Sequence, residues 1–292
     1  MPCILVGPSV SDHVFTLSQQ LKASAVKQFQ AMGSPASVYV PWIAAGTDIK
    51  FSFPESLFAP HPSVARGRLI NDASYLQPAH TYVQTRLEHM QYHEGLMPGA
   101  RDDWLPAALV NPAAIHAVDA GVDVLLGSDP SLARLYTELV EFVLPLGDKH
   151  RGYSNANMRG ILFRGIPDNW NAYDVAIDLA HELGHHTLFV WQSVDPILAS
   201  SPSAPVLSSV RKVERPAIQS FHGAVALAFM LFTTQTWTKN AISQEAARRH
   251  GSFYIGGTLE SALSEALDTL RAQCEFTAIG KKMVDEMQAL LQ

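Results

Sequence analysis

Charge is scarce in this 292-residue chain: only 16% of its residues are Asp, Glu, Lys or Arg, with 27 acidic against 21 basic groups. No run of lysines and arginines offers a surface to phosphates, and a net charge of -6 repels a polyanion, which argues against general nucleic-acid binding. Cysteine is nearly absent. Cys3 and Cys274 stand at opposite ends, which leaves neither a disulfide framework nor a spaced thiolate set and suits a reducing cytoplasm. Long apolar runs are missing too, since the longest, Ala224 to Phe232, is too short to cross a bilayer. The opening residues Met1-Pro2-Cys3-Ile4-Leu5-Val6-Gly7 have neither the basic region nor the apolar core of an export signal. No internal repeat or low-complexity tract is present. The expectation is a soluble cytoplasmic protein with no membrane or nucleic-acid partner. With 47% hydrophobic residues the chain can bury a substantial core, and we read 1–292 as a single domain.

What the chain does have is His181-Glu182-Leu183-Gly184-His185. On a helix this places two imidazoles one turn apart on one face, where both reach a single metal ion. The surroundings predict that helix from about Trp170 to Trp191, capped by Asp168-Asn169, with Val175, Ile177, Leu179, Leu183 and Phe189 burying one side. Gly184 costs about 1 kcal/mol relative to alanine in mid-helix, a cost explained if another backbone passes close by. Asp178, one turn before His181, is placed to orient it.

Upstream, helical spacing covers Ser11 to Met32 and Asn71 to Leu96, separated by a Pro/Gly/Ser-rich loop from Gly33 to His61. Val122 to Leu126 reads as a short strand, Pro130 to Leu146 as a helix, and Arg159 to Ile166 as a second strand leading into the metal helix. Ser193 to Pro205, with three prolines and four serines, reads as an active-site loop. A second buried helix runs from Pro216 to about Trp237, and amphipathic helices cover Ser243 to Arg249, Leu259 to Cys274 and Thr277 to Leu291. The fold class expected is predominantly α, with a metal site between two buried helices and a few short strands. The helical part about 1–150 would form a substrate wall and the part about 151–292 would bind the metal. His89 and His93 also stand four apart, but a solvated helix face accounts for them, and Trp170, Trp191 and Trp237 read as core.

A catalytic metal needs at least a third protein ligand, and the downstream candidates are Glu214 and His222. His222 is the stronger, inside an otherwise apolar helix and followed by Gly223, which permits close approach to the metal helix or a ligand. Arg215 precedes His222 by seven residues, two helical turns, which puts it on the same face. Arg211 and Arg215 are then both placed for the distal carboxylate of a ligand that chelates the metal, as 2-oxoglutarate does.

The block Val210-Arg211-Lys212-Val213-Glu214-Arg215-Pro216, followed by His222-Gly223-Ala224-Val225-Ala226 and by Phe276-Thr277-Ala278-Ile279-Gly280, resembles the HExxH-type peptide β-hydroxylases. The resemblance covers roughly residues 150 to 292. It implies an iron- and 2-oxoglutarate-dependent dioxygenase that hydroxylates an unactivated carbon of a ribosomally made peptide or a related amino-acid substrate. His181, His185 and His222 would hold Fe(II), leaving positions for 2-oxoglutarate and dioxygen, with Arg215 and Arg211 binding the cofactor and Glu182 catalytic. Either Glu182 or Glu214 can instead be a carboxylate ligand. The rival is a zinc peptidase or amide hydrolase in which Glu182 is the general base that activates a metal-bound water. The metzincin pattern is absent, because Leu188 and Trp191 occupy the positions of its glycine and third histidine.

Overall fold

The computed structural model describes residues 5, 10–31, 67–69, 112–146, 152–154, 156, 159–237 and 240–292. These are predominantly helical, as expected, with eight α-helices and a few short strands among the described residues. In chain order they are α1 (Val10–Ala31), α2 (Pro112–Ser128), α3 (Pro130–Leu139), β1 (Phe142–Pro145), β2 (Gly152–Tyr153), β3 (Ile161–Arg164) and α4 (Ala172–Gln192). They continue through β4 (Pro205–Ser208), β5 (Val213–Pro216), α5 (Ala217–Thr236), α6 (Ala241–Gly251), α7 (Leu259–Gln273) and α8 (Ala278–Ala289). The Gly33 to His61 loop and the Asn71 to Leu96 helix, with His89 and His93, lie outside the described residues. The chain divides into two compact units, Met1–Leu17 with Gly121–Glu138 and Asn171–Gln292, and Ser18–Ala120 with Leu139–Trp170.

The second unit carries a three-stranded sheet in the order β1-β3-β2, with β1 parallel and β2 antiparallel to β3. All four residues of the central strand are buried, the pattern of a strand covered on both faces. Tyr153 of β2 stacks on Phe163 of β3, their rings 4.3 Å apart. Gly152 lies where the Arg164 guanidinium passes, and that cation sits 4.9 Å over the ring of Trp170.

Two sequence expectations fail upstream of α4. Val122 to Leu126 is not a strand but part of α2, whose Val118, Val122 and Leu125 are buried at helical spacing. Four apolar residues in a segment of five suit either structure, and the flanking turns decide. The helix expected over Pro130 to Leu146 stops at Leu139. The backbone N–H groups of Glu141 and Phe142 donate to the Gly160 carbonyl, so pairing with the strand beyond overrides the helical pattern.

In the first unit α5 is the central element. It packs on α4 along one side and on α7 along another, so Ala224 to Leu231 are all buried. By length and composition α5 would suffice to cross a membrane, but 67% of its apolar window is buried, as in the core helix of a globular fold. The close approach that Gly184 implied is present: a Cβ there would meet the Ala226 Cα at 3.2 Å and the Phe229 ring at 3.2 Å. Residues Gly184 and Ala226 therefore let the backbones of α4 and α5 pass side by side.

The start of α4 is set two residues later than expected. Asn171, not Asp168-Asn169, is the N-cap. Its side chain accepts from the backbone N–H groups of Tyr173 and Asp174, while the Asp174 carboxylate accepts from Asn171 N–H at 2.9 Å. Asp174 is fully buried and is met by the Arg249 guanidinium of α6 at 2.7 Å, which ties α6 to the mouth of the metal helix. Of the three tryptophans read as core, Trp191 is buried, whereas Trp170 and Trp237 are half-buried. Trp237 packs edge-on to Tyr173, and its indole N–H donates to Ser128 Oγ at 2.6 Å.

The loop after α4 ends in a hairpin that the spacing of its residues did not suggest. Strands β4 and β5 pair antiparallel from Pro205 opposite Pro216 to Ser208 opposite Val213. Lys212 turns the chain with φ 56, and its N–H donates to the Ser208 carbonyl at 2.6 Å. Within the loop, Ile197 is held at φ 67. Its carbonyl accepts from Thr277 N–H at 3.0 Å, and Thr277 caps α8 through Gly280 N–H. The Ile197 carbonyl lies so close to Gly280 that no side chain fits there, which gives the Thr277-Ala278-Ile279-Gly280 segment a structural reason.

Candidate functional site

His181 and His185 stand on the face of α4 turned to α5, four residues apart as the motif requires, with their Nε2 atoms 3.1 Å from each other. Ring nitrogens bound to one ion at about 2.1 Å stand about 3.0–3.4 Å apart across angles between 90° and 109°. The pair is therefore spaced for one divalent cation. On the far side of His181, its Nδ1 lies 3.4 Å from the Met230 thioether sulfur of α5, which also accepts from the Tyr254 hydroxyl at 3.7 Å.

His222 of α5 joins them, but through an unexpected atom. Its Nδ1 lies 3.2 Å from Nδ1 of His185, and its Nε2 lies 3.1 Å from Oε1 of Gln192 at the end of α4. The three rings thus form a chain, with His185 in the middle using one nitrogen for each neighbour. Among the described residues, no three His, Cys, Asp or Glu side chains surround a common point. Phe189, a turn beyond His185, covers the His222 ring at 5.0 Å, and His186, wholly buried, packs edge-on to Phe189. Gly223 does not face the metal helix, since what a Cβ there would meet is a methyl of Val210 at 3.4 Å.

The electrostatics favour neutral imidazoles, the form that binds metal. Burial, then the nearby Arg215 charge, pushes His185 down to about 4. His222 is driven well below its ordinary value by burial and by His185 and His186. Glu182 is 3% exposed, so the motif glutamate is buried, as is Asp178 one turn before His181.

The arginines arrive by a different route from the one their spacing implied. Arg215 is not two helical turns before His222 but in strand β5, and α5 begins only at Ala217. The hairpin register gives the reason for its placement. Arg215 pairs with Val206, which is buried, whereas Glu214 pairs with Leu207, which is 44% exposed. Alternation along the strand thus sends Arg215 inward toward His185 and Glu214 out to solvent, away from any ligand role. Arg211, in the turn, is exposed, close enough to lower Arg215 further after burial has done so. Among the described residues no carboxylate pairs with either guanidinium. A half-buried cation with a second cation beside it and no carboxylate partner among the described residues has the chemistry to receive an anion.

Gln192, Met230 and Tyr254 are the participants that the motifs did not reveal. Two of them carried a signal in helical spacing: Gln192 follows His185 by seven residues and Met230 follows His222 by eight, so each shares its histidine's face. Tyr254 carried none, because the turn after α6 brings it in. No protein-family model matches the chain, and no curated protein matches it.

Proposed function

We propose that the chain is a cytoplasmic, iron(II)- and 2-oxoglutarate-dependent oxygenase that hydroxylates an unactivated carbon of a peptide or amino-acid-like substrate. His181 and His185 hold the metal through their Nε2 atoms, His222 is the third imidazole of the cluster, and Glu182 supplies the buried carboxylate of the motif. Iron(II), when bound, supplies the activation of dioxygen that oxidises the substrate. The protein's share is placement. Helices α4 and α5 hold the imidazoles neutral and in contact, and β5 delivers Arg215 to the distal carboxylate of a chelating dicarboxylate. Arg211, at the solvent side, draws that anion in.

The observation that carries the reading is Arg215, an inward cation beside the histidine pair with no carboxylate partner among the described residues. A hydrolase that activates water with Glu182 does not require it, whereas a metal-chelating dicarboxylate needs such a group at its far end. The test is an anaerobic titration of the metal-free protein with Fe(II) and 2-oxoglutarate, following the visible charge-transfer band of the chelated cofactor. A band that saturates at one equivalent and vanishes in His181→Ala supports the proposal. Zinc retained through purification, no band, and peptide cleavage that depends on Glu182 would overturn it in favour of the metallohydrolase.

A further inference from the structure

The chain of rings has a direction, and Gln192 sets it. Its Oε1 can only accept, so Nε2 of His222, 3.1 Å away, carries the proton. A neutral imidazole, the form that binds metal, has one N–H, so with Nε2 donating to Gln192 the Nδ1 of His222 presents a lone pair. That lone pair faces Nδ1 of His185 at 3.2 Å, which must then be the donor. With its one N–H at Nδ1, His185 is left with a bare Nε2, the atom that stands 3.1 Å from Nε2 of His181. We infer that Gln192 and His222 are positioning residues that lock His185 in the tautomer whose lone pair points at the metal, with His222 acting from the outer side of His185 rather than as a co-ligand.

Metal-bound histidines usually donate their outer N–H to a carboxylate or carbonyl, which fixes tautomer and ring orientation. Here an imidazole fills that place, and the glutamine amide fixes the imidazole in turn. The arrangement is local and complete. Gln192 follows His185 by two turns of α4, so one helix carries both ends of the chain, and α5 contributes only the ring between them. Phe189, between the two on the same face, covers the His222 ring and limits its rotation. The fixed tautomer follows from the chain of contacts whether or not metal binds; its consequence for affinity rests on the oxygenase or another metal-dependent reading of the site.

The experiment uses the full chain, labelled with 15N-histidine and freed of metal by chelation, in a long-range 15N–1H correlation that distinguishes Nδ1–H from Nε2–H. The expected result is Nε2–H at His222 and Nδ1–H at His185. Gln192→Met, which keeps the length and removes the acceptor, should abolish the preference at both rings, and Gln192→Glu should keep it. Competition with a chromophoric chelator then measures Fe(II) and Zn(II) affinity: about 10- to 100-fold weaker in Gln192→Met, close to wild type in Gln192→Glu. Nε2–H at His185 in the wild type, or a Gln192→Met protein with unaltered tautomers and metal affinity, would overturn the assignment. Wild-type protein that shows the expected tautomers yet binds neither metal would support the hydrogen-bond chain while removing the metal-dependent reading, so the two fail separately.

Discussion

Arg215→Met separates an anion site from an ordinary structural arginine, because the two predict opposite signs for stability. Arg215 is half-buried in β5, its charge disfavoured first by burial and then by Arg211, with no carboxylate partner among the described residues. An unpaired charge in that position opposes folding, and methionine keeps most of the aliphatic stem while removing it. After discounting for the solvent that reaches the group, the gain on its removal is about 1 kcal/mol in the ligand-free protein, at low salt. For a chain of this size that raises the unfolding midpoint by about 2 °C. The same substitution deletes charge-assisted hydrogen bonds to the ligand carboxylate, each about 1.5–3 kcal/mol, so 2-oxoglutarate binding should weaken about 10- to 100-fold. Calorimetric scans of the metal-free protein and titrations of the Fe(II) form with 2-oxoglutarate read the two effects. An Arg215→Met protein that melts lower without ligand, with cofactor affinity unchanged, would refute the reasoning and make Arg215 a packing residue.

Three further expectations follow from the same geometry. In the metal-free protein, His185 is held at about 4 against 6.5 when unfolded, so its neutrality adds stability above pH 6.5 that is lost as pH falls toward 4. Discounted for partial exposure, the loss is about 2 kcal/mol, seen as a steeper acid limb in urea unfolding than that of His185→Ala. Gly280→Ala should destabilise by about 2–4 kcal/mol in denaturant midpoint, since its Cβ would stand 2.1 Å from the Ile197 carbonyl and displace an acceptor of Thr277 N–H. A midpoint at or above wild type would rule out the close approach. Arg249→Met leaves the buried Asp174 carboxylate without its 2.7 Å cation and should cost about 3 kcal/mol, whereas Asp174→Asn paired with Arg249→Met should recover part of it in a double-mutant cycle.

The histidine pair and its helix were legible from residue order because both are local. Four residues make one turn, so His181 and His185 share a face in any α-helix, and apolar periodicity placed that helix to within two residues of its observed limits. Predominantly helical architecture, the second helix and the need for a close approach at Gly184 were readable for the same reason. Where a short apolar segment suits two structures, local order is silent. Val122 to Leu126 became helix because of its flanks, and Phe142 to Pro145 became strand because Gly160 and the strand after it offered hydrogen-bond partners.

The arginines show the limit most clearly. Helical arithmetic put Arg215 beside His222, and the proximity to the site holds, yet strand pairing is what sends Arg215 inward and Glu214 outward. Which nitrogen of His185 meets His222, and that Gln192 stands behind it, depends on how α4 and α5 cross at Gly184 and Ala226. Residue order along one chain names the imidazoles. Only the packing of two helices, an interaction between residues 30 and 37 positions apart, sets the atoms through which they meet.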